Sequence, residues 1–426
     1  MAELQQVRFE KMVFGGECLG RLADGRAVFV QFVLPGETAE IEITENKPRF
    51  AHGRAVKLLE VSPDRIAPPC LYFSICGGCH YQHLGYAQQL ELKKDLVRDQ
   101  LERIGKLANL PEIPISASPL PFGYRNQVQF HPVKSEKEED FVSLGFKRAS
   151  SDEVLPIEKC LLIPDEMNEL LTHIELEAGS AITRIAMRID SEGEIVLVFE
   201  GKSDEPPELA IELPVSSTYL TPDGRSLNLG GNDALVYHIL GKEFLVSPES
   251  FFQVNLPVAE KMILHVLAIL EGRKNLSLLE LYSGVGLFTR FLAPLASRLT
   301  AIESAPSACF DFAGNLDEFE NISLYEGAVE VILPEIVEQI KPTDLVVLDP
   351  PRAGLNAKAR QALIDLNPKE IIYISCDPST LARDLKHFSE VGYSLQSVHA
   401  FDMFPETAHV ETVVLMLQDC REECPE

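Results

Sequence analysis

The sequence predicts an α/β protein in three parts: an OB-like β-barrel, a mixed α+β centre with four clustered cysteines, and a doubly wound, Rossmann-like C-terminal domain. Three patterns carry this. Residues 7–61 read as short strands separated by turns, a cysteine-rich segment and one long helical pattern follow, and from Ser250 onward helix and strand periodicities alternate. A chain of 426 residues exceeds one ordinary domain. The divisions fall at 1–62, 63–246 and 247–426.

In the first part, Gly15-Gly16, Ala23-Asp24-Gly25 and Pro35-Gly36 are turn signals between alternating segments such as AEIEI, which predicts a five-stranded barrel. Prolines at Ser62-Pro63 and Pro68-Pro69 mark its end. Helical spacing runs over about 86–106, and this helix is placed to pack on the C-terminal domain. The centre contains strand-like RNQVQF, VSLGF, TRIAMRI and EIVLVFE, the last two joined at Ser191-Glu192-Gly193. In the last part, helix LPVAEKMILHVLAIL, strand SLLELY, helix LFTRFLAPLA and strands RLTAIE and DLVVLD are followed by helix AKARQALIDL, strand EIIYIS and helix STLARDLKHF. Strand VETVVLMLQ closes the domain, and the sheet is predicted to be parallel.

Composition narrows the function. The formal charge of −27 argues against a surface that binds nucleic acid everywhere, so an RNA site would be a local basic groove, with Arg125, Lys147, Arg148 and Arg383 as candidate contacts. The start, MAELQQVRFEKMVF, lacks an apolar run after a basic stretch, and apolar runs elsewhere are far short of a membrane span. A cytoplasmic location is expected. The 9 cysteines, without an export signal, read as thiols or metal ligands rather than disulfides.

The C-terminal motifs converge on one sheet edge. Strand SLLELY runs into Ser283-Gly284-Val285-Gly286 and a helix, a turn that lets backbone approach a ligand, and the next strand ends at Glu303, placed to accept both ribose hydroxyls of a nucleoside. Thr289 stands where a dinucleotide fingerprint needs a third glycine, which favours S-adenosylmethionine over nicotinamide cofactors. Strand DLVVLD ends in Asp349-Pro350-Pro351-Arg352; an arginine rather than a base-stacking aromatic at that place counts against an exocyclic amine target. Strand EIIYIS delivers Cys376 to a helix N-terminus, which can lower a thiol pKa. A thiolate there could add to carbon 6 of uracil and raise the electron density at carbon 5, with Glu411, or alternatively His409, removing the carbon-5 proton.

SFFQVN, LELYSGVGLF, LDPPRAG, SCDPSTLARDL and FPETAHVETVVLM, in this order, resemble the RNA 5-methyluridine methyltransferase family over nearly the whole chain. The resemblance implies a class I methyltransferase domain of Rossmann-like fold, a TRAM barrel and, as in the ribosomal-RNA branch, a four-cysteine iron-sulfur site. It implies Cys376 as nucleophile and Glu411 as base, with Gln253, Tyr282, Glu303 and Asp349 at the cofactor, beside Gly284 and Gly286 of the glycine turn read above, and Phe251 on the target base. Three positions depart from the family pattern: Ser283 where cysteine is common, Asp377 where asparagine is, and Glu406 where glutamine is. Glu326-Gly327-Ala328 offers no amide side chain for the adenine.

Cys70, Cys76 and Cys79 lie within ten residues around Gly77-Gly78, and Cys160 is the natural fourth ligand. Spacing alone leaves a zinc ion and a [4Fe-4S] cluster open; the resemblance favours the cluster. The expected partner is RNA, ribosomal more than transfer RNA, for a monomer. The competing readings are a transfer-RNA uridine-C5 methyltransferase, a catalytically silent iron-sulfur RNA-binding protein, and a DNA or protein methyltransferase.

Overall fold

The structure is a computed structural model describing residues 4–134, 141–174, 176–177, 179–207 and 214–419. Strands β1 (Gln5–Met12), β2 (Glu17–Arg21), β3 (Ala27–Gln31), β4 (Thr38–Asn46) and β5 (Phe50–Glu60) close a barrel in the order β1-β2-β3-β5-β4. Alternation points Val7, Phe9, Val28, Val30 and Ile41 inward, all buried. Tyr81, from the cysteine-bearing segment, and Ala408, from the C-terminal domain, join the same apolar core.

Helix α1 (Tyr86–Arg103) follows, then β6 (Ile115–Ser116). The central sheet contains β7 (Gln127–Lys134), β8 (Phe141–Lys147), β9 (Val154–Pro156), β10 (Leu176–Glu177), β11 (Ile182–Ile189), β12 (Ile195–Gly201), β13 (Ser216–Leu220) and β14 (Ser226–Gly230). Its order is β10-β8-β7-β11-β12-β13-β14, with β9 on β8 and helix α2 (Asp165–Leu171) packed on its core. A hairpin, β15 (Leu235–Ile239) and β16 (Lys242–Val246), leads into the C-terminal domain.

That domain contains α3 (Leu256–Ile269), β17 (Leu276–Leu281), α4 (Thr289–Leu292), β18 (Ala296–Glu303), α5 (Pro306–Asn315), β19 (Ile322–Glu326), α6 (Val329–Ile340) and β20 (Leu345–Leu348). It continues with α7 (Ala357–Leu366), β21 (Glu370–Ser375), α8 (Pro378–Glu390), β22 (Tyr393–Phe401) and β23 (Glu411–Gln418). The sheet order is β19-β18-β17-β20-β21-β23-β22-β6. One apolar layer under α3 and α5 and another under α1, α6, α7 and α8 sandwich it.

Three expectations are corrected. The sheet is not wholly parallel, because β23 inserts antiparallel between β21 and β22. The helix expected over LFTRFLAPLA is one α-turn, α4, passing into a 3₁₀ turn at Ala293–Leu295, since Pro294 cannot donate a helical hydrogen bond. It also does not begin directly after the glycine turn, because residues 284–288 form turns first. No helix among the described residues is long and apolar enough to cross a membrane.

Candidate active site

Sheet register explains why four residues reach one sheet edge. Leu281 of β17 pairs with Leu348 of β20, Leu348 with Tyr373 of β21, and Ser375 with Thr412 of β23. Tyr282, Asp349 and Cys376 therefore leave the carboxyl ends of adjacent parallel strands, and Glu411 stands at the same edge because β23 runs the other way. Tyr282 adopts a left-handed φ of +62°, which turns the chain sharply into the glycine loop.

Phe251, Gln253, Tyr282, Gly284 and Asp349 line one small cavity of about 50 Å³ with Glu280 and Ser283. Gly286 and Glu303 do not line it. Gly286, with φ +87°, serves packing: a Cβ there would lie 2.6 Å from Leu316 Cδ1 and 3.1 Å from Phe312 Cδ2. Glu303 Oε2 accepts from Gly284 N–H at 2.8 Å, and its Oε1 accepts from the amides of Ser304 (2.6 Å) and Ala305 (2.8 Å). This carboxylate braces the glycine loop itself.

Two polar residues of this cavity, Glu280 and Ser283, are absent from the sequence-derived set of cofactor residues. Glu280 is buried, hydrogen-bonded by Thr289 Oγ1 at 2.6 Å, and burial pushes its carboxyl up to about 8. The signal was present as an acid inside an apolar strand. Ser283 Oγ is buried with no hydrogen-bond partner among the described residues.

At the reacting edge the electrostatics differ from the sequence expectation. The Cys376 thiol is pushed up to about 12, first by burial and then by Glu411 and Asp349, with Arg352 opposing. The lowering expected from the helix N-terminus does not prevail, because Asp377 caps α8 and takes the Ser379 and Thr380 amides at 2.9 and 3.0 Å. Burial also raises Asp349, to about 7, and raises Glu411 well above the usual carboxylate range, the Asp349 charge adding to the effect. His409, pushed down to about 3 by burial and by Arg352, is neutral, and its Nε2 accepts from Arg352 Nη2 at 3.2 Å.

Cys70, Cys76, Cys79 and Cys160 all line a second, larger cavity of about 760 Å³ between barrel, cysteine segment and central sheet. Burial raises the thiols of Cys76 and Cys79 and takes Cys160 to about 11, with neighbouring cysteines of the four adding to each shift. Among the described residues, no three His, Cys, Asp or Glu side chains stand close enough to hold a metal ion. Arg125, Lys147 and Arg148 line this cavity too, whereas Arg383 does not and instead braces the Ala353 carbonyl at 3.0 Å. Phe251, 69% exposed, stands at both cavities.

A parallel strand entering a glycine turn, an acid ending the next strand and an Asp-Pro-Pro at the same edge define a Rossmann-like S-adenosylmethionine-dependent methyltransferase. The family model tRNA (Uracil-5-)-methyltransferase matches residues 236–419, and the TRAM domain model matches residues 3–56. The chain is 33% identical to an uncharacterized RNA methyltransferase of Bacillus cereus, covering 97% of this chain and 96% of the relative. It is 32% identical to one of Thermotoga maritima, covering 98% and 100%. Its fold matches the crystal structure of the Pyrococcus abyssi tRNA (uracil-54, C5)-methyltransferase in complex with S-adenosyl-L-homocysteine, with a TM-score of 0.72 at 24% identity over 97% of this chain and 100% of that one. The chain belongs to the tRNA (uracil-5-)-methyltransferase family and is an S-adenosylmethionine-dependent RNA (uracil-5-)-methyltransferase with a TRAM domain.

Proposed function

We propose that the protein methylates carbon 5 of a uridine in ribosomal RNA through a covalent adduct on Cys376, resolved by Glu411. The observation that carries this reading is the placement of Cys376, Asp349 and Glu411 on adjacent strand ends beside the cofactor cavity. S-adenosylmethionine supplies a sulfonium methyl group. With its proton already lost to solvent, the Cys376 thiolate bonds to carbon 6, and the carbon 5–carbon 6 electrons move toward oxygen 4, giving an enolate whose carbon 5 takes the methyl as the sulfonium–methyl bond breaks and its electrons stay on the departing thioether sulfur. Glu411 then accepts the carbon-5 proton, the double bond re-forms, and the sulfur leaves. A carboxyl whose pKa is raised by burial is a stronger base than a solvated one, which suits this role. His409 is the weaker choice, because its Nε2 is engaged by Arg352.

In this reading 1–62 bind RNA, 63–246 hold the cysteine site and 247–426 transfer the methyl group. Gln253, Tyr282, Gly284 and Asp349 contact the cofactor at the small cavity. Gly286 and Glu303 act beside it, with Glu303 accepting ribose hydroxyls on the lone pairs its loop contacts leave free. Exposed Phe251 stacks on the target base, a contact of about 1–3 kcal/mol that needs no positive charge. Glu303→Ala should weaken S-adenosylmethionine binding about tenfold in calorimetry, roughly 1.4 kcal/mol, with RNA affinity little changed. Unchanged cofactor binding would remove Glu303 from the site.

The four cysteines would hold a [4Fe-4S] cluster. All-sulfur donors, buried and raising one another's pKa, are what a cationic centre would stabilise as thiolates. Donors spread round a cavity suit a cluster several atoms across better than one zinc ion with bonds of roughly 2.3 Å. A structural or RNA-positioning role follows from four protein ligands. The barrel together with these cysteines supports ribosomal RNA. Mapping 5-methyluridine in 23S ribosomal RNA and transfer RNA of a deletion strain tests the substrate: one lost ribosomal site is expected, and loss confined to transfer RNA would establish the alternative.

A further inference from the structure

The turn 402–410, which delivers Glu411 to the sheet edge, is held largely from outside the catalytic domain. Lys93 of α1, wholly buried, donates from Nζ to Asp402 Oδ1 at 2.5 Å and to the Phe404 carbonyl at 2.9 Å. Gln89, one turn earlier, donates from Nε2 to Glu406 Oε2 at 2.9 Å, and its Oε1 accepts the Glu406 amide at 3.2 Å. The His80 and Tyr81 amides donate to the Glu406 carbonyl at 2.8 and 3.1 Å, and His80 Nδ1 accepts from Ala408 N–H at 3.3 Å. Tyr124 Oη donates to the Pro405 carbonyl at 3.1 Å. Glu406 sits at φ +66°, a conformation that persists in a non-glycine residue when its surroundings fix it. A buried lysine–aspartate pair gives little net stability, but removing one partner leaves the other's charge buried and uncompensated.

Asp349 and Cys376 are supported differently. They follow β20 and β21, whose positions are set by the parallel ladder, and Asp377 anchors the chain just beyond the thiol. Sheet register places all three groups, Glu411 through its pairing with Phe401 of β22, and the turn 402–410 is a further support that bears on Glu411 and not on Asp349 or Cys376.

We propose that Gln89 and Lys93, acting through the turn 402–410, are positioning residues for Glu411 that govern elimination while leaving addition and methyl transfer to the sheet. The inference rests on Glu411 being the base. In the step affected, the carbon-5 proton passes to the Glu411 carboxylate, the electrons of that bond re-form the carbon 5–carbon 6 double bond, and the Cys376–carbon 6 bond breaks to return the thiolate.

The test is a single-turnover time course on full-length Gln89→Leu, Lys93→Met, Glu406→Ala and Glu406→Gln, with Glu411→Gln alongside. The probes are methyl-labelled S-adenosylmethionine and RNA from a deletion strain. Label reaching RNA in any form reports methyl transfer, and label in a protein–RNA band on denaturing gels reports stalled elimination. Gln89→Leu and Lys93→Met should transfer methyl within about threefold of the unmodified enzyme while the adduct decays tenfold or more slowly. Should Lys93→Met fail to fold, Gln89→Leu and Glu406→Ala open one hydrogen-bonded pair from its two sides. Glu406→Gln, which retains an oxygen acceptor for Gln89, should clear the adduct faster than Glu406→Ala. Normal adduct decay in Gln89→Leu and Glu406→Ala, or transfer and decay slowed in equal proportion, overturns the inference. If Glu411→Gln stalls and those variants do not, only the positioning role falls; if Glu411→Gln itself clears the adduct normally, the base assignment and the positioning role fall together.

Discussion

Cys376→Ala is expected to abolish methylation while leaving RNA binding largely intact, and Glu411→Gln to accumulate a protein–RNA species that survives denaturing gels. Carbon 5 of uracil does not attack a sulfonium methyl group unaided, so loss of the thiol removes the enolate and with it the reaction. Loss of the base leaves addition and transfer possible and stops the exit. RNA carrying 5-fluorouridine at the target should trap the unmodified enzyme in the same way, because fluorine cannot leave as a cation. The target base must first leave its stack, at about a few kcal/mol, to reach Cys376. The pH dependence has a definite sign: burial and two acids push the thiol up to about 12, so thiolate is scarce at neutral pH and its fraction grows about tenfold per pH unit. The rate should climb with pH across the neutral range. Normal turnover by Cys376→Ala, or no adduct with fluorinated RNA, would redirect the reading to an amine or ribose target.

Cys79→Ala has the second largest expected effect. Protein purified without oxygen should be brown, with about four irons and matching sulfide per chain, and this substitution should bleach it. Burial raises the Cys79 thiol, and His80, directly after it, holds the Glu406 carbonyl and the Ala408 amide. Destabilisation should therefore appear between barrel and catalytic domain, as earlier melting and faster amide exchange around residues 76–84. Stoichiometric zinc without sulfide in anaerobic material would replace the cluster by a metal ion.

What was legible in the sequence follows physical lines. Strands such as EIIYIS and DLVVLD stand out because both faces of a central parallel strand are buried, leaving an apolar run. The long helix was visible, yet its buried polar stripe of Gln89, Lys93 and Gln100 reads as a solvated face, and only the fold shows that it grips the turn before Glu411. Helices α5 and α6 with β19 between them, and strand β22, were passed over. Edge strand β19 is only half-buried, which weakens its period, and α6 carries an internal Pro334. The proposed nucleophile, Cys376, is legible through its chemistry rather than its periodicity. Its raised pKa is not, because that depends first on burial and then on Glu411 and Asp349, carboxylates brought in by two other strands.

Ala408, in the apolar core of the barrel beside Tyr81, changes how the N-terminal unit should be regarded. A detachable module has a surface of its own where it meets its neighbours; this barrel completes its interior with side chains from two other stretches of the chain, one more than 300 residues away in sequence. Cutting it off would uncover Tyr81 and Ala408 together, beside the turn that leads to Glu411. Barrel and catalytic unit are therefore expected to melt as one cooperative transition. Gain or loss of the barrel would demand compensating changes around Ala408, so the modular outline of the sequence conceals a mutual dependence.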